Sequence, residues 1–293
     1  MHIIPVISTK GGEGKSTQAA NLAGFLADAG LKILLIDGDY AQPTASSIFA
    51  LTYEAPCGLF ELLMQTADLN DPSRIISNSV IANLDVIVSN DPNAQLPTAM
   101  LHASDGRLRL RNVLQHPLFQ QYDAIIIDSQ GARSIMLELI VLAATNTAVG
   151  VVKPILPDVR EFIRGTIIMM ENLLPFGAFG VKLPEIRILI NCMKYTLLAR
   201  ETYQQLEGII NNGRYSAHSK KIQVSLLNTL IYDLEIYAES HAVGLPAHRL
   251  EKTTGRVSDS AFVTMHSLAS ELFPEWKERF DQLMASDQEA NHG

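Results

Sequence analysis

Short continuous apolar runs alternate along this chain with stretches of helical periodicity. Runs at 2–8, 32–37, 84–88, 124–128, 148–153, 186–191 and 228–233 read as strands, because an uninterrupted apolar run is what a strand buried on both faces requires. Pro5 lies inside the first run and removes a ladder donor, so local pairing there is expected to be interrupted. Between the first two runs, 15–29 places Ala19, Leu22, Ala23 and Leu26 on one helical face and stops at Gly30. Helical spacing returns over 45–63, broken by Pro56 and Gly58. It returns again in two stretches after a turn at Asn90 and Pro92, the second covering 107–119. The segment 193–224 is the least patterned and reads as a solvated helix and loop. Two closing helices, 259–272 and 275–285, follow it. The first carries Phe262, Met265, Leu268 and Leu272, and the second carries Trp276, Phe280 and Leu283. The alternation predicts an α/β fold, a doubly wound, mostly parallel sheet flanked by helices, in one domain over 1–286. The polar residues 287–293 are expected to form a disordered tail.

The first strand runs into Thr9-Lys10-Gly11-Gly12-Glu13-Gly14-Lys15-Ser16-Thr17-Gln18, which leads into the first helix. Gly11, Gly12 and Gly14 allow the backbone to bring successive N–H groups into one concavity at a helix N-terminus, the geometry of a phosphate site. Lys15 adds a point charge for the β/γ oxygens, and Ser16 a hydroxyl for Mg²⁺. Glu13 would be repelled by phosphate, so its side chain is expected to face solvent or a cation on another subunit. Two further strands end on carboxylates: the second on Asp37, with Asp39 two residues on, and the fourth on Asp128. A carboxylate at the C-terminal end of a buried parallel strand sits where ligands bind in doubly wound sheets. Asp128 has Walker B character, reaching a water on Mg²⁺.

The general P-loop pattern asks for glycine at position 9, where this chain has Thr9. The loop K-G-G-x-G-K-S-T, with its second lysine Lys10, resembles instead the deviant Walker A of the ParA/MinD family of P-loop ATPases. Further likenesses are Asp37-Gly38-Asp39-Tyr40-Ala41-Gln42, similar to the family's D-x-D-x-x-Q motif, and the C-terminal Gly244-Leu245-Pro246. The resemblance implies an ATPase that binds ATP and Mg²⁺ and is slow unless stimulated. It implies that Gly11 through Thr17, Glu13 included, cradle the nucleotide. Ser16, Asp37 and Asp128 would serve the metal, Asp39 would orient the attacking water, and Lys10 would act catalytically beside Lys15 by reaching the partner's ATP in a nucleotide-sandwiched homodimer. Asn191 falls where relatives often place an adenine-contacting asparagine; the position equally suits a strand-end turn residue. Ser129-Gln130-Gly131 departs from the family's usual sequence, which leaves the loop after Asp128 undefined.

Within that family the chain most resembles the ParA/Soj-like partition ATPases, which implies an ATP dimer on non-specific DNA, stimulated by a ParB-like partner and nucleoid-associated. The net charge of −8 excludes a globally basic DNA binder. DNA contact must then come from a local patch, with Arg200, Lys220, Lys221, Arg249, Lys252 and Arg256 as candidates. No N-terminal helix-turn-helix like that of longer plasmid relatives is expected ahead of the first strand. A MinD-like positioning ATPase acting on a membrane or protein cargo is the alternative. The last helix mixes Glu275, Lys277, Glu278, Arg279 and Asp281 on its polar face, however, whereas anionic lipid favours a cationic one, so packing on the core is expected and membrane binding is not. Two cysteines, Cys57 and Cys192, without C-x-x-C spacing, fit a reducing cytoplasm and argue against cluster-carrying relatives.

Overall fold

The computed structural model describes residues 1–290. Its strands are β1 (His2–Ile7), β2 (Ile33–Gly38), β3 (Leu51–Tyr53), β4 (Ser77–Ser79), β5 (Leu84–Ile87), β6 (Ala124–Ser129), β7 (Thr147–Val152), β8 (Glu185–Met193) and β9 (Val224–Tyr232). They form one sheet in the order β3-β4-β5-β2-β6-β1-β7-β8-β9. From β5 to β9 all neighbours are parallel, and only the edge pairs β3·β4 and β4·β5 are antiparallel.

The helices of the first half are α1 (Lys15–Asp28), α2 (Ala45–Ile48), α3 (Leu59–Met64), α4 (Leu96–His102), α5 (Arg109–Val113), α6 (Pro117–Gln120) and α7 (Ile135–Ala143). After β7 come α8 (Leu156–Phe162), a π-helical turn (Ile163–Ile167) and α9 (Ile168–Leu173), in direct succession. The rest are α10 (Leu197–Asn211), α11 (Ile236–Val243), α12 (Ala247–Leu250), α13 (Ala261–Leu272) and α14 (Lys277–Ala290). The hydroxyls of Ser134, Thr196 and Ser260 accept backbone N–H bonds at the starts of α7, α10 and α13 and fix where these helices begin.

The apolar runs are buried on both faces. On β2, Ile33 and Leu35 join the layer of α1, α13 and α14, while Leu34 and Ile36 join the layer of α3, α4, α5 and α7. Two-residue alternation within a continuous apolar run thus feeds two cores. A third cluster lies under α8 to α10. The terminal stripe is part of the first core: Phe280 is fully buried 5.7 Å from Phe25, and Trp276 stacks on Phe273. No described helix is long and apolar enough to cross a membrane.

Several boundaries differ from the sequence expectation. Within 45–63 the structure inserts β3 between two short helices. The stretch 107–119 splits into a 3-10 turn, α5 and α6, because His116 caps α6 and Pro117 opens it. Pro5 does lie on a central strand. It pairs in register with Ile127 of β6, and the ladder to β7 covers only Val6 and Ile7, so the missing donor falls outside the β1·β7 bonds. Helix α14 continues through Ala290; residues 291–293 of the expected tail lie outside the described residues.

Candidate functional site

Strands β2, β6 and β1 lie side by side, and their C-terminal ends carry the three motifs found in the sequence. Asp37 pairs in register with Asp128, and Asp128 with Val6, so both carboxylates stand level with the start of the glycine loop. That loop turns through Gly12 (φ 78°) and Gly14 (φ 86°) into α1. Gly14 is constrained twice, since a Cβ there would lie 2.3 Å from Asn191 Nδ2.

The cradle is a cavity of about 410 Å³ lined by Gly11, Gly12, Gly14, Lys15, Ser16 and Thr17 on one wall and by Asp39, Gln42, Gln130 and Gly131 on the other. Lys15 is buried, and its pKa is lowered by desolvation against the pull of Asp128 and Asp39. Asp39 accepts hydrogen bonds from Ala41 N–H (3.1 Å) and Gln42 N–H (3.0 Å), both through Oδ1. Asp37 is fully buried. It accepts from Asp39 N–H and from both the N–H and hydroxyl of Ser46, and burial raises its pKa even so.

Asp128 is fully buried, and neither carboxylate oxygen has a partner at full hydrogen-bond geometry, although the Ser16 hydroxyl and Ser129 N–H act on it. Desolvation, reinforced by Asp37, pushes its pKa up to about 7, against the pull of the Ser16 hydroxyl and Lys15. An ionised carboxylate this deeply buried is costly even beside Ser16 and Lys15, so this group fits a site completed by a cation or its waters. Among the described residues no three His, Cys, Asp or Glu side chains cluster as a self-sufficient metal cage. The donor set suits Mg²⁺, which takes few protein ligands and keeps waters and phosphate oxygens. Ser16 would ligate it directly, with Asp37 and Asp128 behind water.

A second cavity of about 300 Å³ shares Gly14 and Thr17 with the cradle and extends past Gln18, Asn191, Tyr232 and Asp233. It adjoins the cradle at Gly14 and Thr17. Asn191 lines it while bracing the loop: its Nδ2 donates to the Glu13 carbonyl (2.7 Å) and its Oδ1 accepts from Gln18 Nε2 (3.1 Å).

Two loop residues behave in ways the sequence does not show. Glu13 faces neither solvent nor another subunit. It is 1% exposed, accepts a hydrogen bond from Lys153 N–H (2.8 Å), and its pKa is raised by desolvation. The expectation of a solvent-facing side chain is corrected here: the end of β7 offers a donor, and this removes the carboxylate from the phosphate wall. Lys10 does not line the cradle. Its ammonium forms an ion pair with Asp158 on the first turn of α8, and that partner raises its pKa. Asp158 went unrecognised in the sequence; the contact spans 148 residues and has no local signal.

Two close approaches lock the surrounding loops. A Cβ on Gly131 would stand 2.6 Å from Gly11 Cα, so the loop after β6 rests on the glycine loop. A Cβ on Gly165, in the π-helical turn, would stand 2.4 Å from Thr9 Oγ1. Thr9 thus occupies the general pattern's glycine position as a contact for the helix after β7.

The candidate basic residues separate into two groups. Arg249 is bound to Asp28 and Arg256 to Glu251. Lys252 is also engaged. Arg200, Lys220 and Lys221 are exposed on and after α10.

Comparison with known proteins agrees with this geometry. A family model described as "AAA domain" matches residues 1–155. The chain is 37% identical over 131 residues to the tyrosine-protein kinase CpsD of Streptococcus pneumoniae, covering 44% of this chain and 52% of that protein. It is 30% identical over 153 residues to the sporulation initiation inhibitor protein Soj of Bacillus subtilis, covering 52% and 57%. The matched region is therefore about half the length of these curated relatives. The fold is shared with the ATP complex of a McdA variant from Cyanothece, with a TM-score of 0.68, 20% identity and 97% and 95% of the two chains covered. It is also shared with the septum site-determining protein MinD of Pyrococcus horikoshii in complex with Mg-ADP, with a TM-score of 0.64, 19% identity and 92% and 95% covered. With its deviant glycine loop, paired strand-end aspartates and nine-stranded, mostly parallel sheet, the chain belongs to the ParA/MinD family of P-loop ATPases.

Proposed function

We propose that this protein is a partition-type ATPase whose ATP-bound homodimer binds DNA without sequence preference and hydrolyses ATP when a ParB-like partner stimulates it. The observation that carries the reading is the division of labour between two lysines. Lys15 is buried in its own cradle, whereas Lys10 stands outside it, paired with Asp158; release from that pair would free it for a second subunit's nucleotide. Gly11, Gly12, Glu13, Gly14, Ser16 and Thr17 supply the backbone and hydroxyl contacts to phosphate, Glu13 through its main chain. The second oxygen of Asp39 orients the attacking water, while Oδ1 is fixed by Ala41 and Gln42. When bound, Mg²⁺ supplies charge neutralisation of the phosphate oxygens. Asp128 and Asp37, the latter restrained by Ser46, would hold the ion through water.

Among the described residues the apolar stripe of α14 packs on the core, which supports DNA or a protein as cargo over lipid. Arg200, Lys220 and Lys221 are the basic residues best exposed for DNA phosphates. Cytoplasmic, nucleoid-associated behaviour follows from this reading. Co-sedimentation with long non-specific DNA across a salt series tests it. Binding should require ATP rather than ADP and weaken steeply with salt, and the ATPase readout should be released phosphate rather than phosphotyrosine. ATP-dependent dimers without DNA binding at low salt would redirect the reading to the MinD-like alternative, a protein or membrane positioner.

A further inference from the structure

On the side of the molecule carrying α8 and α10, a groove of about 450 Å³ runs between the continuous α8–α9 helix and the C-terminal end of α10. Its apolar lining comes from Ile163, Ile167 and Ile168, completed across the groove by Ile209 and Tyr215. Three arginines edge it: Arg160 and Arg164, one turn apart on the helix, and Arg214 after α10. All three are exposed, and none makes an ion pair among the described residues. The one carboxylate in the lining, Glu171, is turned to the Ser216 hydroxyl and toward His218. On a chain of net charge −8, three uncompensated guanidinium groups around an apolar trough form a local exception.

We propose that this groove is a docking site for an acidic amphipathic helix of a partner protein. Charge complementarity selects the acidic face, and the isoleucine-lined trough selects an apolar stripe at helical spacing, the helix-in-groove mode. A nucleic-acid backbone would use the arginines but leave the apolar trough uncovered. The groove is connected to the nucleotide loop by its own helix. Asp158, two residues before Arg160, holds Lys10, and Gly165 of the π-helical turn rests on Thr9. Single π-helical turns of this kind are concentrated at functional sites. An occupant that shifts this helix therefore acts on Lys10, a consequence that rests on the ATPase reading; the docking itself does not.

Two fluorescein-labelled peptides of about 16 residues test the proposal, built on one leucine stripe with either glutamate or lysine at the other positions. In anisotropy titrations with the full chain, the glutamate peptide should bind at least about ten-fold more tightly than the lysine peptide. Arg160→Glu with Arg164→Glu, Arg214→Glu alone, and Ile168→Glu alone should each weaken it by about ten-fold or more, while Arg200→Glu leaves it unchanged. Equal binding of the two peptides, no binding of the glutamate peptide, or indifference to the groove substitutions would overturn the proposal. So would the finding that these substitutions abolish binding of a labelled duplex of about 40 base pairs and leave the peptide bound. A change in phosphate release at saturating glutamate peptide supports the connection to Lys10; binding with unchanged release overturns that connection alone.

Discussion

Asp128 is a fully buried carboxylate level with the start of the glycine loop. Its folded pKa of about 7 lies above the ordinary carboxylate value of 3.8 because burial and Asp37 both oppose its charge. A raised carboxylate stabilises the fold most below its unfolded pKa. That contribution is lost as pH rises from about 4 through about 7, where the buried group must ionise. Asp128→Asn should therefore match the parent in thermal stability at about pH 4 and below. Near pH 8, without Mg²⁺, it should exceed the parent by about 4 kcal/mol, several degrees in Tm, and lose Mg-nucleotide affinity. Melting curves at the two pH values check this; an equal difference at both would mean that Asp128 is ionised without strain. At this scale the motif residues were legible: the glycines, Lys15, Ser16, Asp37, Asp39 and Asp128 converge on one sheet edge. The partners of Lys10 and Glu13 were not, because Asp158 and Lys153 reach the loop only through tertiary packing across more than a hundred residues.

Among the elements, α1 is fixed at both ends. Gly14 brings its N-terminus to the cradle, and Asp28 at its last turn is bound by Arg249 and His248 of α12. A carboxylate at a helix C-terminus opposes the helix dipole, so its place there rests on the Arg249 guanidinium and the hydrogen bond with His248. Burial raises the Asp28 pKa, but the Arg249 and His248 bonds outweigh it and bring the value to about 2. A depressed carboxylate stabilises above its unfolded pKa, so this contribution is complete above about pH 4 and is lost as pH falls through about 2. Asp28→Asn should cost about 2 kcal/mol at neutral pH, read from urea denaturation, with nucleotide affinity little changed. A cost below about 0.5 kcal/mol would show the cluster to be solvent-screened. Long helices such as α1 and α13 were legible from periodicity and caps. The short β3 and β4 were not, since three-residue edge strands carry too few positions to show alternation.

At the scale of the whole molecule, the parallel order from β5 to β9 collects the ends of β1, β2 and β6 on one edge and sets both helical layers away from it. The sequence showed this architecture because buried parallel strands advertise themselves as unbroken apolar runs. It showed much less of the second cavity and of the arginine groove, whose walls come from segments far apart in the chain. A lone subunit leaves Lys10 on its own Asp158; on the proposed reading the site is completed by a second copy, with ATP as the agent of assembly. Light scattering of the eluting protein under Mg-ATP and Mg-ADP tests this most directly, on the parent chain, Asp39→Ala and Lys10→Ala, with nucleotide binding measured in parallel. The parent should double its mass with ATP alone, Asp39→Ala should hold the dimer longer, and Lys10→Ala should bind ATP yet remain monomeric. A Lys10→Ala protein that dimerises with ATP and releases phosphate at the parent's rate would contradict the account.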